Sequence, residues 1–399
     1  MVPEGWCLKC LEELAFVERG KFSARPRNDP KYYGGNVPFV QTGNVSSAGT
    51  YLTEYTQTLN EEGVKVSKIF PPNSILITIA ANIGDTSIAT FDVACPDSVV
   101  AIQARPNKAH FFWLKLALDM QKSELDRNAT QNAQKNINLQ VLRPLLFRTP
   151  PLEEQTKIAQ ILSTWNKAIE TTEKLIENSK AQKKVLMQQL LTGKRRFPKF
   201  DEKWNEVQLS SIANITMGSS PRSDAYNTNG AGLPLIQGNA DISNRFSRPR
   251  TYTSQITKEC NVNDILFSVR APVGLVSISK HHACIGRGIA AINAKASSTI
   301  RFIYQLLLSR EAMWKKLSQG STFDAVNSAD IKKLPICVPS DRDEQFRIAK
   351  VLDHQDNLTG NLLNQLGILR RQKKALMQQL LTGKRRVKLD NTKTTKRVA

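Results

Sequence analysis

Apolar residues recur every three to four positions along two long stretches of the chain, residues 158–190 and 348–380. In each stretch, seven of the ten positions at this spacing are apolar. A 3.5-residue period kept up over this length is typical of a coiled-coil seam, so the pattern predicts two long paired helices. The apolar seam positions are Ile158, Leu162, Trp165, Ile169, Ile176, Leu186 and Leu190 in the first helix, and Ile348, Leu352, Leu362, Leu366, Leu369, Leu376 and Leu380 in the second.

The two predicted helices end in almost the same sequence. Residues 182–196 read QKKVLMQQLLTGKRR and residues 372–386 read QKKALMQQLLTGKRR, so one position in fifteen differs. A Glu-Gln pair keeps the same offset of 190 residues near the helix starts, at 154–155 and 344–345. A match at a fixed spacing indicates one structural unit built twice. Antiparallel pairing of the helices would relate the two units by a pseudo-two-fold axis.

Antiparallel pairing about the helix midpoints also makes a register prediction. It places Lys373 near Trp165, where a cation-π contact can form, and Lys183 near Gln355. At the helix ends, Gly193 is expected to adopt the left-handed conformation that closes a helix, as is its copy in the second unit.

Outside the helices, short β-branched runs alternate with turn residues, which predicts α+β domains. A polar, amide-rich segment covers residues 130–139. The chain is expected to divide into a first variable domain (1–150), a helix (151–198), a second variable domain (199–339), a second helix (340–386) and a basic, disordered tail (387–399). The expected strands include residues 75–79, 86–90 and 99–102 in the first domain and 265–269, 274–278 and 288–292 in the second, with domain helices at 109–125 and 300–317.

The charge balance gives the first information about a partner. The formal net charge is +21 over 399 residues. A surplus of this size indicates a polyanionic partner, with nucleic acid first, and a solvated basic surface is the alternative. No apolar run approaches the length of a membrane span, and the N-terminus does not have the pattern of a signal peptide. A cytoplasmic location is therefore expected.

Sequence patterns for independent chemistry are missing. Cys7 and Cys10 form a C-x-x-C, but the other cysteines and histidines supply no second pair of zinc ligands, so reduced thiols are expected. A phosphate-binding loop, a Gly-rich cofactor loop and a nuclease pattern are also missing. We therefore assign no catalytic residue, no metal ligand and no bound cofactor, and we expect a binding protein rather than an enzyme.

Taken together, the order of a variable domain, a repeated helix, a second variable domain and a second repeated helix resembles the specificity (S) subunit of type I restriction-modification enzymes. The resemblance covers essentially the whole chain, and LMQQLLTGKRR is its most specific motif. Residues 264–274 (DILFSVRAPVG), 284–292 (CIGRGIAAI) and 320–335 also look like second-domain patterns of that family. The first domain departs from them, because it has no counterpart of Gly286-Arg287-Gly288.

Similarity to this family implies an α+β fold with two target recognition domains, separated by two long antiparallel coiled-coil helices with pseudo-two-fold symmetry. Each domain would read one half of an asymmetric, interrupted DNA site, and the helices would set the gap. The helices would also dock two methyltransferase subunits, which use S-adenosylmethionine to methylate adenine N6. Two restriction/translocase subunits that use ATP and Mg would complete the complex.

Side-chain type and position suggest which residues contact the DNA. Arginine and lysine suit guanine edges and phosphates, and glutamine and asparagine suit base edges. Gln41 and Gln237 occupy matching positions, so a shared structural role is their alternative. Arg195-Arg196 and Arg385-Arg386 are expected to serve phosphates or helix capping. The candidates are Arg25, Arg27, Lys31, Gln41 and Asn44 in the first domain, and Gln237, Asn239, Arg245, Arg248, Arg250, Arg270 and Arg287 in the second.

Two other interpretations fit the sequence. One is a coiled-coil adaptor whose partner is an acidic protein, and its binding would respond little to salt. The other is a specificity subunit of a different DNA-modifying defence assembly, which only the partner genes would distinguish.

Overall fold

The computed structural model describes residues 2–130, 136–319 and 326–389. The chain forms two compact units, one of Met1–Glu173 with Gln365–Ala399 and the other of Lys174–Asn364. We call them unit 1 and unit 2. Both boundaries fall inside the long helices, so each unit contains one half of each helix. Residues 131–135 of the amide-rich segment, residues 320–325 and residues 390–399 of the basic tail lie outside the described residues.

Unit 1 mixes short strands with helices, as the sequence predicts, and the α+β class is confirmed. Its strands are β1 (Cys7–Cys10), β2 (Ala15–Arg19), β3 (Tyr33–Phe39), β4 (Tyr51–Leu52), β5 (Gln57–Leu59), β6 (Ile69–Phe70), β7 (Ile75–Thr78), β8 (Thr86–Ala89), β9 (Val93–Ala94), β10 (Val99–Ala104) and β11 (Leu146–Thr149), and its helices are α1 (Leu11–Leu14), α2 (Thr42–Ser47), α3 (Glu61–Lys65), α4 (Phe111–Thr130), α5 (Leu139–Leu142), the first part of α6 (Leu152–Leu190) and the last part of α10 (Arg342–Leu381).

The strands of unit 1 form three sheets. The largest has the order β2-β10-β7-β8-β4, a second has the order β5-β3-β9-β6, and β1 pairs with β11. Ile75, Ile77 and Trp113 lie in the main core, together with Leu162 of α6 and Leu380 near the end of the chain. Burying these apolar side chains is the main force that holds the helix segments against the domain.

Unit 2 is built from the same parts. Its strands are β12 (Asn205–Gln208), β13 (Ala213–Met217), β14 (Tyr226–Asn227), β15 (Leu233–Ile236), β16 (Ile242–Ser243), β17 (Phe246–Ser247), β18 (Thr251–Thr253), β19 (Glu259–Cys260), β20 (Ile265–Ser268), β21 (Val276–Ile278), β22 (Ala283–Ile285), β23 (Ile289–Ala294) and β24 (Pro335–Val338), and its helices are the rest of α6, α7 (Leu209–Ile212), α8 (Ile300–Gln319), α9 (Ser328–Lys332) and the first part of α10 (Arg342–Leu381).

The sheets of unit 2 repeat the plan of unit 1. The largest has the order β13-β23-β20-β21-β17-β16, and its first four strands match β2-β10-β7-β8. A second sheet has the order β14-β18-β15-β22-β19, and β12 pairs with β24 as β1 does with β11. Phe267, Phe302 and Trp314 pack in the main core with Leu190 of α6 and Leu352 of α10.

The pairing of α6 with α10 is confirmed inside each unit. Every predicted seam residue is buried or half-buried. In unit 1, the α6 residue Glu173 contacts Arg370 of α10, and Glu154 contacts Arg386, just beyond the end of α10. As the residue number along α6 rises from 154 to 173, the number of the contacting residue falls from 386 to 370, so the two segments run antiparallel. In unit 2, the ion pair of Lys183 with Asp356 fits the same antiparallel register.

The repeated Glu-Gln pair has a structural reason. Gln155 anchors the start of α6, because its Nε2 donates to Pro150 O (2.9 Å) and its Oε1 accepts from His110 N (2.9 Å). Gln345 does the same for α10, through Pro339 O (3.0 Å) and the Ser298 hydroxyl (2.6 Å). These bonds satisfy polar groups at a buried helix start, where water cannot reach them.

The repeated arginines bind the neighbouring glutamates. Arg386 donates from Nε and Nη2 to Glu154 (2.7 and 2.8 Å), and Trp6 Nε1 donates to the same carboxylate (3.0 Å). Arg196 repeats this on Glu344 in unit 2. For these two arginines the expected phosphate or capping role is wrong, because their guanidinium groups neutralise carboxylates that are 2% and 1% exposed. Gly193 and Gly383 do adopt positive φ, at 70° and 71°, as a helix C-cap requires.

The two lysines of the register prediction have different surroundings. Lys183 donates to Asp356 Oδ1 at 2.6 Å, next to Gln355, as predicted. Lys373 makes no cation-π contact with Trp165 in the described part of the chain. Burial lowers the pKa of Lys373, and the nearby Lys115 adds to that effect.

Replacing each lysine with methionine should therefore have opposite effects. We expect Lys183→Met to destabilise unit 2 by about 1 kcal/mol, because Asp356 loses its ion-pair partner and retains the hydrogen bond from Gln305 Nε2. Lys373→Met should stabilise unit 1 by about 1 kcal/mol at pH 7, because a poorly paired buried charge is removed. Chemical denaturation at pH 7 measures both changes, and effects of the same sign would contradict the prediction.

The pH dependence of the stability of unit 1 tests whether burial of the charged Lys373 side chain is unfavourable. Because the pKa of Lys373 is lower in the folded protein than in the unfolded chain, the stability of unit 1 should rise as the pH increases between these two values. This part of the pH slope should be absent from Lys373→Met. An identical slope in the wild type and the variant would contradict the assigned cause.

Candidate nucleic-acid interface

In unit 2, four loop segments lie side by side at one end of the two larger sheets. They are residues 218–220, 237–241, 269–274 and 286–288, which we call the second loop edge. Gly286 N donates to Ile236 O (2.8 Å), Val269 N to Gly288 O (3.0 Å) and Gly218 N to Ile289 O (2.9 Å). These backbone bonds join loops that are far apart in the sequence into one surface.

Asp241 organises one side of the second loop edge. Its carboxylate is 4% exposed and accepts from Gln237 N (2.9 Å) and from Arg250 Nε (3.1 Å). Its backbone carbonyl accepts from Arg248 N (2.6 Å). The buried Asp241 thus brings three of the predicted DNA-contacting residues together, two through its carboxylate and one through its carbonyl.

Asn239 ties this cluster to the loop that follows β20. Its Nδ2 donates to Ser268 Oγ (2.9 Å) and to Pro272 O (3.3 Å). The Ser268 hydroxyl in turn donates to Arg270 O (2.8 Å). Asn239 and Arg270 therefore belong to the same edge, and part of the amide's hydrogen-bonding capacity is already used by the protein.

Three arginines of this region carry free guanidinium groups. Arg248, Arg270 and Arg287 are exposed, and their side chains have no hydrogen-bond or ion-pair partner among the described residues. The backbone of Arg287 is fixed by a bond from its N–H to Ser220 Oγ (3.1 Å). Exposed guanidinium forks match the geometry of phosphates and of the guanine edge.

Arg245 differs from the other candidates. Its guanidinium forms an ion pair with Glu311 and donates to Val276 O (3.0 Å). The bond to Glu311 raises the pKa of Arg245. These contacts favour a structural role, in which Arg245 connects its loop to α8, over a contact with DNA.

Unit 1 has a corresponding first loop edge, formed by residues 19–20, 27, 41–44, 79–84 and 95–98. Val40 N donates to Ala94 O (2.9 Å), Ile79 N to Ser98 O (3.0 Å) and Gly20 N to Val99 O (2.9 Å). The last two bonds match those of Val269 and Gly218 in unit 2. The backbone arrangement is therefore duplicated, although the side chains differ.

The predicted residues of the first domain already have partners within the protein. Gln41 Nε2 donates to Gln57 Oε1 (2.8 Å), and Asn44 Oδ1 accepts from Gln41 N (3.0 Å) as a cap of α2. Arg25 donates to the carbonyl of Ala24 (2.7 Å). These contacts support the alternative structural role for Gln41, because its amide is used by the fold.

Lys31 and Arg27 are exposed and form surface ion pairs. Lys31 lies 3.3 Å from Asp29 and over the Tyr32 ring, and contact with Tyr32, followed by Asp29, raises the pKa of Lys31. Arg27 pairs with Asp97.

The sequence analysis did not single out two carboxylates, Asp97 and Asp241. The repeat contains a signal for Asp97, because Asp97 lies 190 residues before Arg287. At this repeated position a negative side chain in unit 1 replaces a positive one in unit 2.

Comparison with known proteins decides the family. The family model described as type I restriction modification DNA specificity domain matches twice, at residues 3–179 and 201–367. The chain belongs to this family. It is a specificity subunit that recognises DNA sequence, and not an enzyme.

One relative of this specificity subunit matches nearly its whole length, and another matches about two thirds of it. It is 30% identical over 410 residues to the type I restriction enzyme MjaX specificity subunit of Methanocaldococcus jannaschii, covering 97% of this chain and 95% of the relative. The MjaVIII specificity subunit of the same organism is 26% identical over 304 residues, covering 70% of each chain.

Solved structures share the fold of this specificity subunit. A type I restriction-modification S subunit from M. genitalium aligns with a TM-score of 0.67 at 15% identity, covering 95% of this chain and 96% of that one. A chain from a structural study of complex assembly and conformational transition of the type I R-M system aligns at 0.60 with 23% identity, covering 96% and 98%.

Other features of the specificity subunit concern membranes and metals. No helix within the described ranges has the length and apolar character needed to cross a membrane. Over the same ranges, no three His, Cys, Asp or Glu side chains are grouped so that they could hold a metal ion. All six cysteines are free thiols, and Cys95, Cys260 and Cys284 are buried.

Proposed function

We propose that each recognition domain of this specificity subunit reads one half of an asymmetric, interrupted DNA site through its loop edge. The duplicated loop edge with different side chains supports this most directly. Among the described residues, the second edge carries the unpaired guanidinium groups of Arg270 and Arg287, with that of Arg248 beside it, whereas the first carries Gln41 and the paired Arg27. Two readers of this kind recognise unlike half-sites, and the net charge of +21 suits a duplex partner.

The two helices are proposed to set the gap between the half-sites and to dock the partner subunits. Two adenine-N6 methyltransferase subunits would supply the S-adenosylmethionine chemistry, and two restriction/translocase subunits would use ATP and Mg. The specificity subunit itself would bind none of these cofactors. The location of such a DNA-bound complex is the cytoplasm.

A domain exchange tests the modular part of this proposal. When residues 1–150 are replaced with those of a relative and the complex is reassembled, the methylated adenines should move to sites with a new first half and an unchanged second half. Sequencing of methylated adenines in the host genome measures both halves. A change in both halves, or in neither, would contradict separate reading.

Salt dependence separates DNA reading from the adaptor alternative. Each phosphate contact releases counterions, so the affinity of the complex for its site should fall by about a thousandfold or more between 50 and 200 mM salt if six or more phosphates are contacted. Fluorescence anisotropy with a labelled duplex measures this slope. A nearly flat slope would favour an acidic protein as the main partner.

A further inference from the structure

Arg27, in the first loop edge, is held at both its backbone and its side chain. Its Nη2 donates to Asp97 Oδ1 (3.1 Å) and Oδ2 (2.9 Å). Its backbone carbonyl accepts from the Tyr33 hydroxyl, and the Tyr33 ring packs against Phe22 and Phe39, with centroid distances of 5.9 and 6.1 Å. The side chain is nevertheless 47% exposed. The backbone position of Arg27 and the orientation of its guanidinium are therefore both held by the protein, although the side chain faces solvent.

Asp97 is fixed in turn by its own loop. Arg19 Nε donates to the Asp97 carbonyl. Gly20 lies so close beneath the turn that a Cβ on it would stand 2.7 Å from Cys95 Sγ and would overlap the backbone oxygens of Cys95 and Pro96. The turn that carries the carboxylate is therefore packed tightly against β2. A carboxylate held in this way can orient a flexible arginine.

The remaining donors of Arg27 are available to a ligand. Both Asp97 oxygens contact Nη2, and neither Nη1 nor Nε has a partner among the described residues. A bidentate contact to O6 and N7 of guanine is the commonest specific protein–DNA contact of arginine. Each bidentate edge of a guanidinium includes Nη2, so Arg27 would make this contact with the second Nη2 hydrogen together with Nη1 or Nε. The orientation by Asp97 also reduces the side-chain entropy that this contact would otherwise cost.

The repeat supplies an independent argument. Asp97 stands 190 residues before Arg287, and the turns around both residues receive the same backbone bonds, from Ile79 and Gly20 in unit 1 and from Val269 and Gly218 in unit 2. In unit 2 the turn residue itself carries a free guanidinium. In unit 1 the turn residue is a carboxylate that holds a guanidinium from another loop. Both edges thus place a guanidinium beside the equivalent turn.

We infer that Arg27 reads a guanine in the half-site of the first recognition domain, and that Asp97 is the positioning residue that orients it. The inference rests on the proposed function. The surface ion pair alone would be worth little to stability, because exposed pairs are screened by solvent. On this interpretation the ion pair matters because it orients the guanidinium, whose Nη1 and Nε donors remain free among the described residues.

The test uses the assembled methyltransferase complex with Arg27→Ala, Arg27→Lys or Asp97→Asn in the specificity subunit. Competition binding with duplexes changed at one base pair at a time gives the base preference at every position. Arg27→Ala should lose about tenfold to a hundredfold of the preference for guanine at one position of the first half-site. Arg27→Lys should lose most of it too, because lysine keeps the charge but not the fork.

Asp97→Asn should reduce the guanine preference at that same position by about threefold to tenfold, with the other positions unchanged. Glu62→Gln is the matched control, since it removes one exposed negative charge from an ion pair in the same domain and should leave the preference unaltered. Thermal unfolding of each variant shows whether the domain is intact. A uniform loss of affinity with unchanged base preference would reduce Arg27 to a phosphate contact and overturn the inference.

The outcome for the wild type separates the two proposals. If the wild-type complex shows no interrupted, asymmetric recognition site, then the proposed function itself fails. If that site is present and the guanine preference survives in both Arg27 variants, then only the role of Arg27 and Asp97 fails.

Discussion

Replacing Arg386 with alanine is expected to lower the free energy of unfolding of unit 1 by about 3 kcal/mol. The reason is the Glu154 carboxylate, which is 2% exposed and receives two of its three hydrogen bonds from Arg386. Removing the cation leaves a buried charge with only the Trp6 indole as a partner. Urea denaturation followed by the fluorescence of the tryptophans measures the change.

Arg385→Ala is the matched control for this experiment. Arg385 is the adjacent, exposed arginine, whose backbone N–H bonds to Gln379 O (3.1 Å), and its loss should change stability by less than about 0.5 kcal/mol. Arg196→Ala should have the corresponding large effect on the stability of unit 2, because Arg196 pairs with the buried Glu344. Equal effects of Arg385→Ala and Arg386→Ala would show that the ion pair does not carry this stability.

The second large effect is expected from a single methyl group in the second loop edge. Gly218→Ala should destabilise unit 2 by about 3 kcal/mol, because the new Cβ would stand 2.7 Å from Ile289 O and 2.8 Å from Ile285 O, and closer still to Gly286 O. Backbone atoms on three sides cannot move apart without breaking the bond from Gly218 N to Ile289 O. Chemical denaturation of unit 2 gives the magnitude.

Gly238→Ala, in the same edge, serves as the comparison for stability. A Cβ on Gly238 meets nothing within 4 Å, and its φ of 179° is extended backbone that any residue adopts. The free energy of unfolding should therefore change by less than about 0.5 kcal/mol. If both alanine variants were equally stable, the tight packing beneath the Arg287 turn would be refuted.

The sequence predicted the long helices well because a helix must bury its apolar stripe. Leu162 and Leu352 recur at the seam spacing, and both are fully buried. The strands at β7 and β20 were also predictable, since runs such as Ile75 to Ile79 are bounded by turn residues. The apolar stripe of a helix and the turn residues around a strand both involve residues that are close together in the sequence, so the sequence alone is enough to find them.

The roles of the arginines were less predictable because they depend on partners far along the chain. Arg386 binds a glutamate 232 residues away, and Arg196 binds one 148 residues away. Arg245 and Arg248 stand in one loop and look equivalent in the sequence. Only the fold places Glu311 beside Arg245 and leaves the Arg248 guanidinium without a partner in the part of the chain that the structure describes.

The division of each long helix between the two units has a consequence for synthesis on the ribosome. Unit 2 is one continuous stretch, Lys174–Asn364, whereas unit 1 needs Gln365–Ala399 to complete it. Leu380 and Leu381 of that last stretch belong to the core of unit 1. The domain that is translated first is therefore the last to receive all of its core. Until residues 365–386 have been made, the Glu154 carboxylate lacks Arg386 and the core of unit 1 lacks Leu380 and Leu381, so apolar surface that the finished domain buries stays exposed.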